Sequence, residues 1–118
     1  RRYTIRADAY YDPGTRVLTA MLELPGMKKS DLRITLATTL FNRVRQVTVS
    51  GHSRAPFPPS PGPTLRERKF GRFARAFPVP ADTTPEDIDA TMENGVLVLK
   101  ISCGLPAPSA HEHEIPIR

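Results

Sequence analysis

The sequence predicts an all-β sandwich, and three observations carry this prediction. Apolar and polar residues alternate over short stretches, turn-forming pairs recur roughly every eight to twelve residues, and no stretch has the periodicity of an amphipathic helix. Thirteen prolines in 118 residues further disfavour long helices and central strands. About eight short antiparallel strands around one core are expected.

The first half of the chain carries four of the predicted strands. They cover residues 3–12, 16–24, 32–36 and 45–50. The first two end at the turn pairs Pro13-Gly14 and Pro25-Gly26. The residues expected to face the core are Tyr3, Ile5, Ala7, Ala9, Tyr11, Leu18, Ala20, Leu22, Leu24, Leu32, Ile34, Leu36, Val47 and Val49.

The second half supplies the remaining strands. One covers residues 69–77, with Phe73 and Phe77 facing inward, and a single helical turn is expected over 83–87. The strongest hairpin signal is Asn94-Gly95, which joins a strand over 88–92 to one over 96–101. The inward residues of this hairpin are expected to be Ile88, Ala90, Met92, Leu97, Leu99 and Ile101.

Two segments interrupt the strand pattern and divide the chain. Residues 54–63 contain five prolines, which favour an extended exposed loop. Residues 64–68 at its far end are predicted to form a short strand. We therefore expect a sandwich domain over 1–103, with a Pro-rich loop at 54–68, and an extended C-terminal tail over 104–118.

Composition and charge exclude several classes of protein. The single Cys103 rules out an intrachain disulfide and a Cys-rich metal site, which favours a reducing compartment and a cytoplasmic location. No apolar run approaches the roughly 18 residues of a membrane span. The net charge of +5 is a moderate excess. The chain begins at Arg1 without Met, which suggests an excised domain whose upstream segment is not shown.

The candidates for chemistry are weak. Ser50, His52 and Ser53 lie near a strand end, but no Gly-x-Ser-x-Gly turn surrounds them, so a solvated strand terminus is the simpler interpretation. His111 and His113 would place two imidazoles on one side of the tail, fewer than the four ligands of a structural metal site. We expect no enzyme activity, no cofactor and no bound metal.

A basic and aromatic stretch raises the question of nucleic-acid binding. Its cations are interleaved with Phe70, Phe73 and Phe77, but the RNA-recognition pattern of alternating Gly and aromatic residues fails. On a strand, Phe73 and Phe77 share a face with Arg75, so the rings are more simply core residues. Arg75 must then meet a carboxylate or a subunit boundary, because an unpaired buried charge costs several kcal/mol.

The most unusual apolar feature is Ile115-Pro116-Ile117 at the end of a polar tail. On an extended backbone the two isoleucines point the same way, and Pro116 holds the backbone extended. The pattern favours an apolar plug for a groove. A short terminal strand of the same domain is the alternative.

Several blocks of the sequence, taken together, resemble the small heat-shock proteins, the family defined by the alpha-crystallin domain. The most specific blocks are Pro80-Ala81-Asp82 and Glu93-Asn94-Gly95-Val96-Leu97. The other similar blocks are Glu23 to Lys29 with Asp31-Leu32, Val49-Ser50-Gly51, Leu65 to Arg68, Phe70-Gly71-x-Phe73, and Ile115-Pro116-Ile117, which is like the family's C-terminal I-x-I motif. Two departures are a longer segment over 38–45 and a Pro-rich loop poor in charge.

The resemblance implies an immunoglobulin-like sandwich that acts as an ATP-independent holdase chaperone for unfolding proteins. It implies a dimer through an exchanged strand, with interface residues Leu65, Arg66, Glu67, Arg68 and Arg75. In this interpretation Arg75 pairs with Glu67 or with an acidic residue across the boundary. Ile115, Pro116 and Ile117 would join dimers by docking into a groove of another subunit, lined by Leu32, Ile34, Leu36, Ile88, Ala90 and Met92.

Two other functions stay open at this point. A sandwich-type co-chaperone or protein-binding module would share the fold, but it would not need a terminal Ile-Pro-Ile. A basic nucleic-acid-binding β domain would show salt-dependent binding. We expect the partners to be further copies of the chain and unfolding client proteins, with neither nucleic acid nor membrane among them.

Overall fold

The computed structural model describes residues 3–59, 61–104 and 112–118. Single turns of 3₁₀ helix at Lys29–Asp31 and Pro85–Asp87 precede two of the strands. The strands are β1 (Ala7–Asp12), β2 (Val17–Glu23), β3 (Leu32–Thr38), β4 (Arg45–Ser53), β5 (Gly71–Val79), β6 (Ile88–Glu93), β7 (Val96–Ser102) and β8 (His113–Glu114).

These strands form two four-stranded sheets. One sheet has the order β1-β2-β7-β6 and the other has the order β5-β4-β3-β8. Every pairing between neighbours is antiparallel. The all-β sandwich predicted from the alternation and the turn signals is therefore confirmed.

The core lies between the two sheets and consists of the inward residues of the central strands. Leu22 of β2 is paired with Leu97 of β7, and Ile34 of β3 with Val49 of β4. All four of these side chains are fully buried. The predicted turn at Asn94-Gly95 is present, with φ angles of 52° and 79°, which suit the tight hairpin between β6 and β7.

The first strand is shorter and more exposed than the alternation predicted. It begins only at Ala7, and Tyr11, which was expected to face the core, is 46% exposed. Upstream, the amide of Tyr3 donates to the carbonyl of Arg72 in the other sheet at 2.9 Å, and Ile5 is buried. The segment before β1 thus crosses between the sheets, while β1 is an edge strand with little core beneath it.

Arg45 is a buried cation, and Asp87 is the other charged residue buried in the described part of the chain. The Arg45 side chain is 1% exposed, at the start of β4. Its Nε donates to the carbonyl of Thr83 at 2.7 Å and its Nη1 to the hydroxyl of Thr38 at 3.1 Å. Burial lowers the pKa of this guanidinium from its usual value. Arg45 therefore ties β3 and β4 to the loop that precedes β6.

The Pro-rich loop contains no strand among its described residues, and the predicted short strand over 64–68 is not formed in this single chain, where these residues are exposed. The following strand, β5, includes Pro78 and lies at the edge of its sheet. Proline is tolerated there because an edge strand has one row of backbone groups without a ladder partner.

Gly51 of β4 tests the packing between β4 and its two neighbours. A Cβ at this position would lie 2.7 Å from the carbonyl oxygen of Asp31 and 2.7 Å from Cζ of Phe73. Gly51→Ala is therefore expected to lower the free energy of unfolding by about 1–3 kcal/mol through overpacking, measured by urea denaturation. Gly14→Ala is the control, because its Cβ would meet only a side-chain oxygen of Asp12, at 3.3 Å. Equal effects of the two variants would contradict this account.

Candidate functional site

An apolar groove lies along one side of the sandwich, where the edges of the two sheets face each other. We call it the β3–β6 groove, after the strands that supply it. Ile34 and Leu36 are fully buried, and Ala90 is 2% exposed. The six inward residues of the two strands are Leu32, Ile34, Leu36, Ile88, Ala90 and Met92.

The C-terminal segment, residues 112–118, occupies this groove and is bonded to both sheets. Strand β8 is paired with β3, and the amide of Ile115 donates to the carbonyl of Ile34 at 2.7 Å. At the other side, the amide of Arg118 donates to the carbonyl of Ala90 at 2.8 Å. The segment therefore bridges the two sheet edges by backbone hydrogen bonds.

The side chains explain why this sequence crosses at this point. Ile115 is 5% exposed and belongs to the hydrophobic core, and Ile117 is half-buried against it. Pro116 between them has no N–H, so the crossing from one sheet to the other leaves no amide donor unsatisfied there. Two β-branched side chains on one side of an extended backbone fill a narrow groove between two strands.

Ion pairs flank the apolar contact at both ends. The Arg33 guanidinium lies 3.3 Å from a carboxylate oxygen of Glu112 and 3.6 Å from one of Glu114. The Arg118 guanidinium lies 2.5 Å from a carboxylate oxygen of Asp89. These side chains are roughly half exposed or more, and such pairs contribute about 0–1 kcal/mol each. The isoleucines hold the segment, and the ion pairs orient it.

Sequence reasoning did not single out these charged residues, although a signal was present. Arg118 directly follows the Ile-Pro-Ile, Glu112 and Glu114 precede it, and the facing strands carry Arg33 and Asp89, one charge of the opposite sign each. A comparison of the charges on either side of the Ile-Pro-Ile with the charges on the two predicted groove strands would have predicted both sets of ion pairs.

The segment docks within its own chain in this structure. Sequence analysis favoured docking into the groove of another subunit and kept a short terminal strand of the same domain as the alternative. A single chain cannot hold an intersubunit contact, so this arrangement corresponds to the alternative. Docking onto a second subunit stays a prediction.

Arg75 lies on β5 between the two inward phenylalanines, as the alternation required. Its Nη1 donates to the carbonyl of Ile5 at 2.6 Å, and its guanidinium lies 5.8 Å from the centre of the Phe77 ring. Within the described residues, no carboxylate oxygen lies close enough to form an ion pair with it. The pairing with Glu67 is thus not formed in this chain, because Glu67 lies in the exposed extended stretch after the Pro-rich loop.

The predicted dimer residues of the 64–68 stretch are exposed, and so is much of the edge strand β1. Leu65 of the 64–68 stretch is 81% exposed, and β1 is paired only with β2 among the described residues. Beside β1, a surface depression of about 600 Å³ is lined by residues that include Ile5, Met21 and Arg75. An unpaired strand edge and a free extended stretch are the two parts that strand exchange requires.

The weak catalytic and metal candidates gain no support from the geometry. The Ser53 hydroxyl is bonded to the Tyr3 hydroxyl at 2.8 Å, and among the described residues His52 forms no hydrogen bond with a serine. Burial, with Asp87 and Asp82 nearby, raises the pKa of the Cys103 thiol, which disfavours a reactive thiolate. No group of three or more potential metal ligands occurs in the described ranges, and His111 lies outside them.

The aromatic rings of the basic stretch are not free to stack on bases. Phe73 is 2% exposed and Phe77 is 8% exposed, so both serve the core. Phe70 is the more accessible ring, and the Arg68 guanidinium lies 4.9 Å from its centre.

No helix in the described part of the chain is long and apolar enough to cross a membrane.

The fold is a two-sheet antiparallel sandwich whose edge groove is filled by an extended terminal segment. A model of the Hsp20/alpha crystallin family matches residues 16–118. The chain belongs to this family, which confirms the resemblance inferred from its motifs.

Comparisons with individual proteins agree with this family assignment. The 17.7 kDa class I heat shock protein of Oryza sativa subsp. japonica is 32% identical over 96 residues, which are 81% of this chain and 57% of the relative. The 22.7 kDa class IV heat shock protein of Pisum sativum is 35% identical over 82 residues, which are 69% of this chain and 39% of the relative. The chain thus spans roughly half the length of these relatives.

Solved structures show the same fold. Heat shock protein 16.0 from Schizosaccharomyces pombe superposes with a TM-score of 0.65 at 23% identity, covering 98% of this chain and 99% of that chain. A small heat-shock protein from Xylella fastidiosa gives a TM-score of 0.63 at 21% identity, covering 91% of this chain and 93% of that chain. The immunoglobulin-like sandwich of the family is therefore the fold of this chain.

Proposed function

We propose that this protein is an ATP-independent holdase chaperone that binds extended apolar segments of unfolding proteins. Membership of the small heat-shock family supports a chaperone role. The single observation that carries the mechanism is the β3–β6 groove, which accepts an extended segment by backbone hydrogen bonds and by one buried isoleucine.

The physics of this groove suits capture without a nucleotide. Backbone hydrogen bonds to a strand edge are independent of side-chain identity, and an apolar slot accepts many aliphatic residues. An unfolding protein exposes such segments, and their burial supplies the binding free energy. Binding of this kind therefore requires no catalytic centre and no cofactor. We propose that the protein acts in the cytoplasm.

The same groove supports assembly of the protein with itself. A tail that fills its own groove makes the same contacts in the groove of a second subunit, as in domain swapping. Burying two isoleucines contributes roughly 3–6 kcal/mol, while ordering about five tail residues costs roughly 5–10 kcal/mol. One docking event is weak, so an oligomer built from dimers would depend on several tails acting together.

The dimer itself is proposed to form by strand exchange. Residues 64–68 of one subunit would pair with the open edge of β1 in the other. Both elements are exposed in the single chain, and pairing would cover an edge that otherwise favours aggregation. Arg75, beside the segment that leads into β1, would then meet an acidic residue of the partner.

The holdase activity is tested by light scattering of two unrelated heat-labile enzymes at rising chaperone ratios, with and without ATP. We expect aggregation to fall to less than half at a stoichiometric ratio, with no effect of ATP. A heat-stable protein of similar mass is the control for crowding. Unchanged aggregation of both clients would exclude the proposed function.

The assembly role of the tail is tested by combining Ile115→Ala with Ile117→Ala. Loss of the two aliphatic side chains is expected to reduce the assembly to dimers while the sandwich stays folded, measured by size-exclusion chromatography with light scattering. The matched control combines Ile115→Val with Ile117→Val, which retains the branched shape and should retain the oligomer. If the Ala variant keeps its size, these isoleucines do not join dimers.

The dimer interface is tested by Arg75→Gly. The change removes the donor to the Ile5 carbonyl and would leave a partner carboxylate unpaired, so dimer affinity is expected to fall at least tenfold. Arg72→Gly on the same strand is the control for the glycine backbone, because the Arg72 side chain is exposed. Equal dimer dissociation constants for the two variants, measured by analytical ultracentrifugation, would count against this interface.

A further inference from the structure

The loop between β3 and β4 carries the two most exposed large apolar side chains of the described residues. Leu40 is 95% exposed and Phe41 is 99% exposed, and they are adjacent at the turn. We call this pair the Leu40–Phe41 tip. It lies in the 38–45 segment that is longer than the family pattern, and neither the core nor the β3–β6 groove uses it.

Hydrogen bonds join the two ends of the loop that carries the tip. The amide of Arg43 donates to the carbonyl of Thr39 at 2.8 Å, and the amide of Thr39 donates to the carbonyl of Val44 at 2.8 Å. The side-chain oxygen of Asn42 accepts from the amide of Val44 at 3.1 Å and also from the Thr39 hydroxyl. The tip is therefore presented to solvent by an ordered turn.

The position of the tip connects it with the edge that binds the C-terminal segment. Strand β8 is antiparallel to β3, with Leu36 opposite His113. β3 ends at Thr38, and Leu40 lies in the turn that follows. A bound chain that extends four residues, about 13 Å, beyond the position of His113 would run past the end of β3 toward this turn.

The size of the tip restricts what it can bind. A stable interface between folded proteins buries about 800 Å² on each partner, whereas an aromatic side chain supplies roughly 150–250 Å². Two side chains are too little for a folded partner but enough for an added contact on a chain already held in the groove. The sequence of the tail supplies no large apolar side chain over residues 106–111, which are only Pro, Ala, Ser and His.

We infer that the Leu40–Phe41 tip is a second apolar subsite for client chains bound along the edge of β3. This inference rests on the proposed holdase function. It sets a spacing: a client segment binds best when one aliphatic residue fills the site of Ile115 and a second large apolar residue lies about six positions before it. The tail has the first residue and lacks the second, so a client with both would displace it.

Fluorescent peptides test the spacing directly. One peptide copies residues 105–118, and the other carries Ser109→Phe, which places an aromatic residue six positions before Ile115. Both are titrated against the full chain bearing Ile115→Ala and Ile117→Ala, whose own tail competes poorly. We expect the Ser109→Phe peptide to bind at least threefold more tightly, by fluorescence anisotropy. The gain should vanish when Leu40→Ser and Phe41→Ser are added.

Client capture by the otherwise unaltered chain is the second readout. Leu40→Ser with Phe41→Ser should raise the amount of chaperone needed for half-suppression of aggregation at least threefold, with the thermal unfolding midpoint unchanged because both side chains are exposed. Phe57→Ser is the matched control, since Phe57 is another exposed aromatic residue, 68% accessible, in the Pro-rich loop. It should leave suppression unchanged.

The outcomes separate this inference from the proposed function. Suppression by the parent chain that is equally strong in the Leu40→Ser, Phe41→Ser variant overturns the subsite and leaves the holdase standing. No suppression by the parent chain overturns both. An aromatic gain that persists without the tip, or no binding of either peptide, also overturns the subsite. Binding of the parent chain to vesicles of phosphatidylcholine and phosphatidylserine, lost in the variant and without any peptide gain, would assign the tip to membranes instead.

Discussion

The hydrogen bond from the Ile115 amide to the Ile34 carbonyl, together with the burial of the Ile115 side chain, is the contact on which this architecture depends. Two twisted sheets packed face to face leave apolar residues at their edges that the opposite sheet does not cover. The edges of β3 and β6 are such a pair, and the C-terminal segment that contains β8 closes them. The ion pairs of Arg33 and Arg118 flank this contact. They can form only when the C-terminal segment lies in the groove, because each joins a residue of the segment to a residue of β3 or β6.

That contact also bears on the proposed assembly, in which the tail docks onto another copy of the chain. Nothing in the groove distinguishes a tail of the same chain from a tail of another copy, because the backbone groups and the apolar slot are identical. The choice is set by the connecting chain and by concentration rather than by the groove. In the proposed function, a client segment and the tail would compete for one site, so assembly and capture would be linked through a shared surface.

The sequence predicted much of this because alternation reports burial wherever a strand lies between two neighbours. Leu22, Ile34 and Leu97 were placed inward and are fully buried. Alternation failed for β1, where Tyr11 lies at a sheet edge with little core beneath it. It also missed Arg45, since no local pattern shows that a cation at a strand start will find the Thr83 carbonyl far along the chain. The Ile-Pro-Ile segment predicted that an apolar groove exists. The side-chain pattern carries no information on whether that groove belongs to the same chain or to another copy.

Pro78 has a consequence for how the protein remains in solution. A molecule with several open strand edges is at risk of stacking edge to edge into fibrils with its own copies. Pro78 lies in β5, at the outer edge of its sheet, and offers no amide to an incoming strand. Continuous ladder growth on that side is interrupted at this residue. Pro78 therefore limits strand addition at the outer edge of β5, which neither the tail nor the proposed dimer contact at β1 covers.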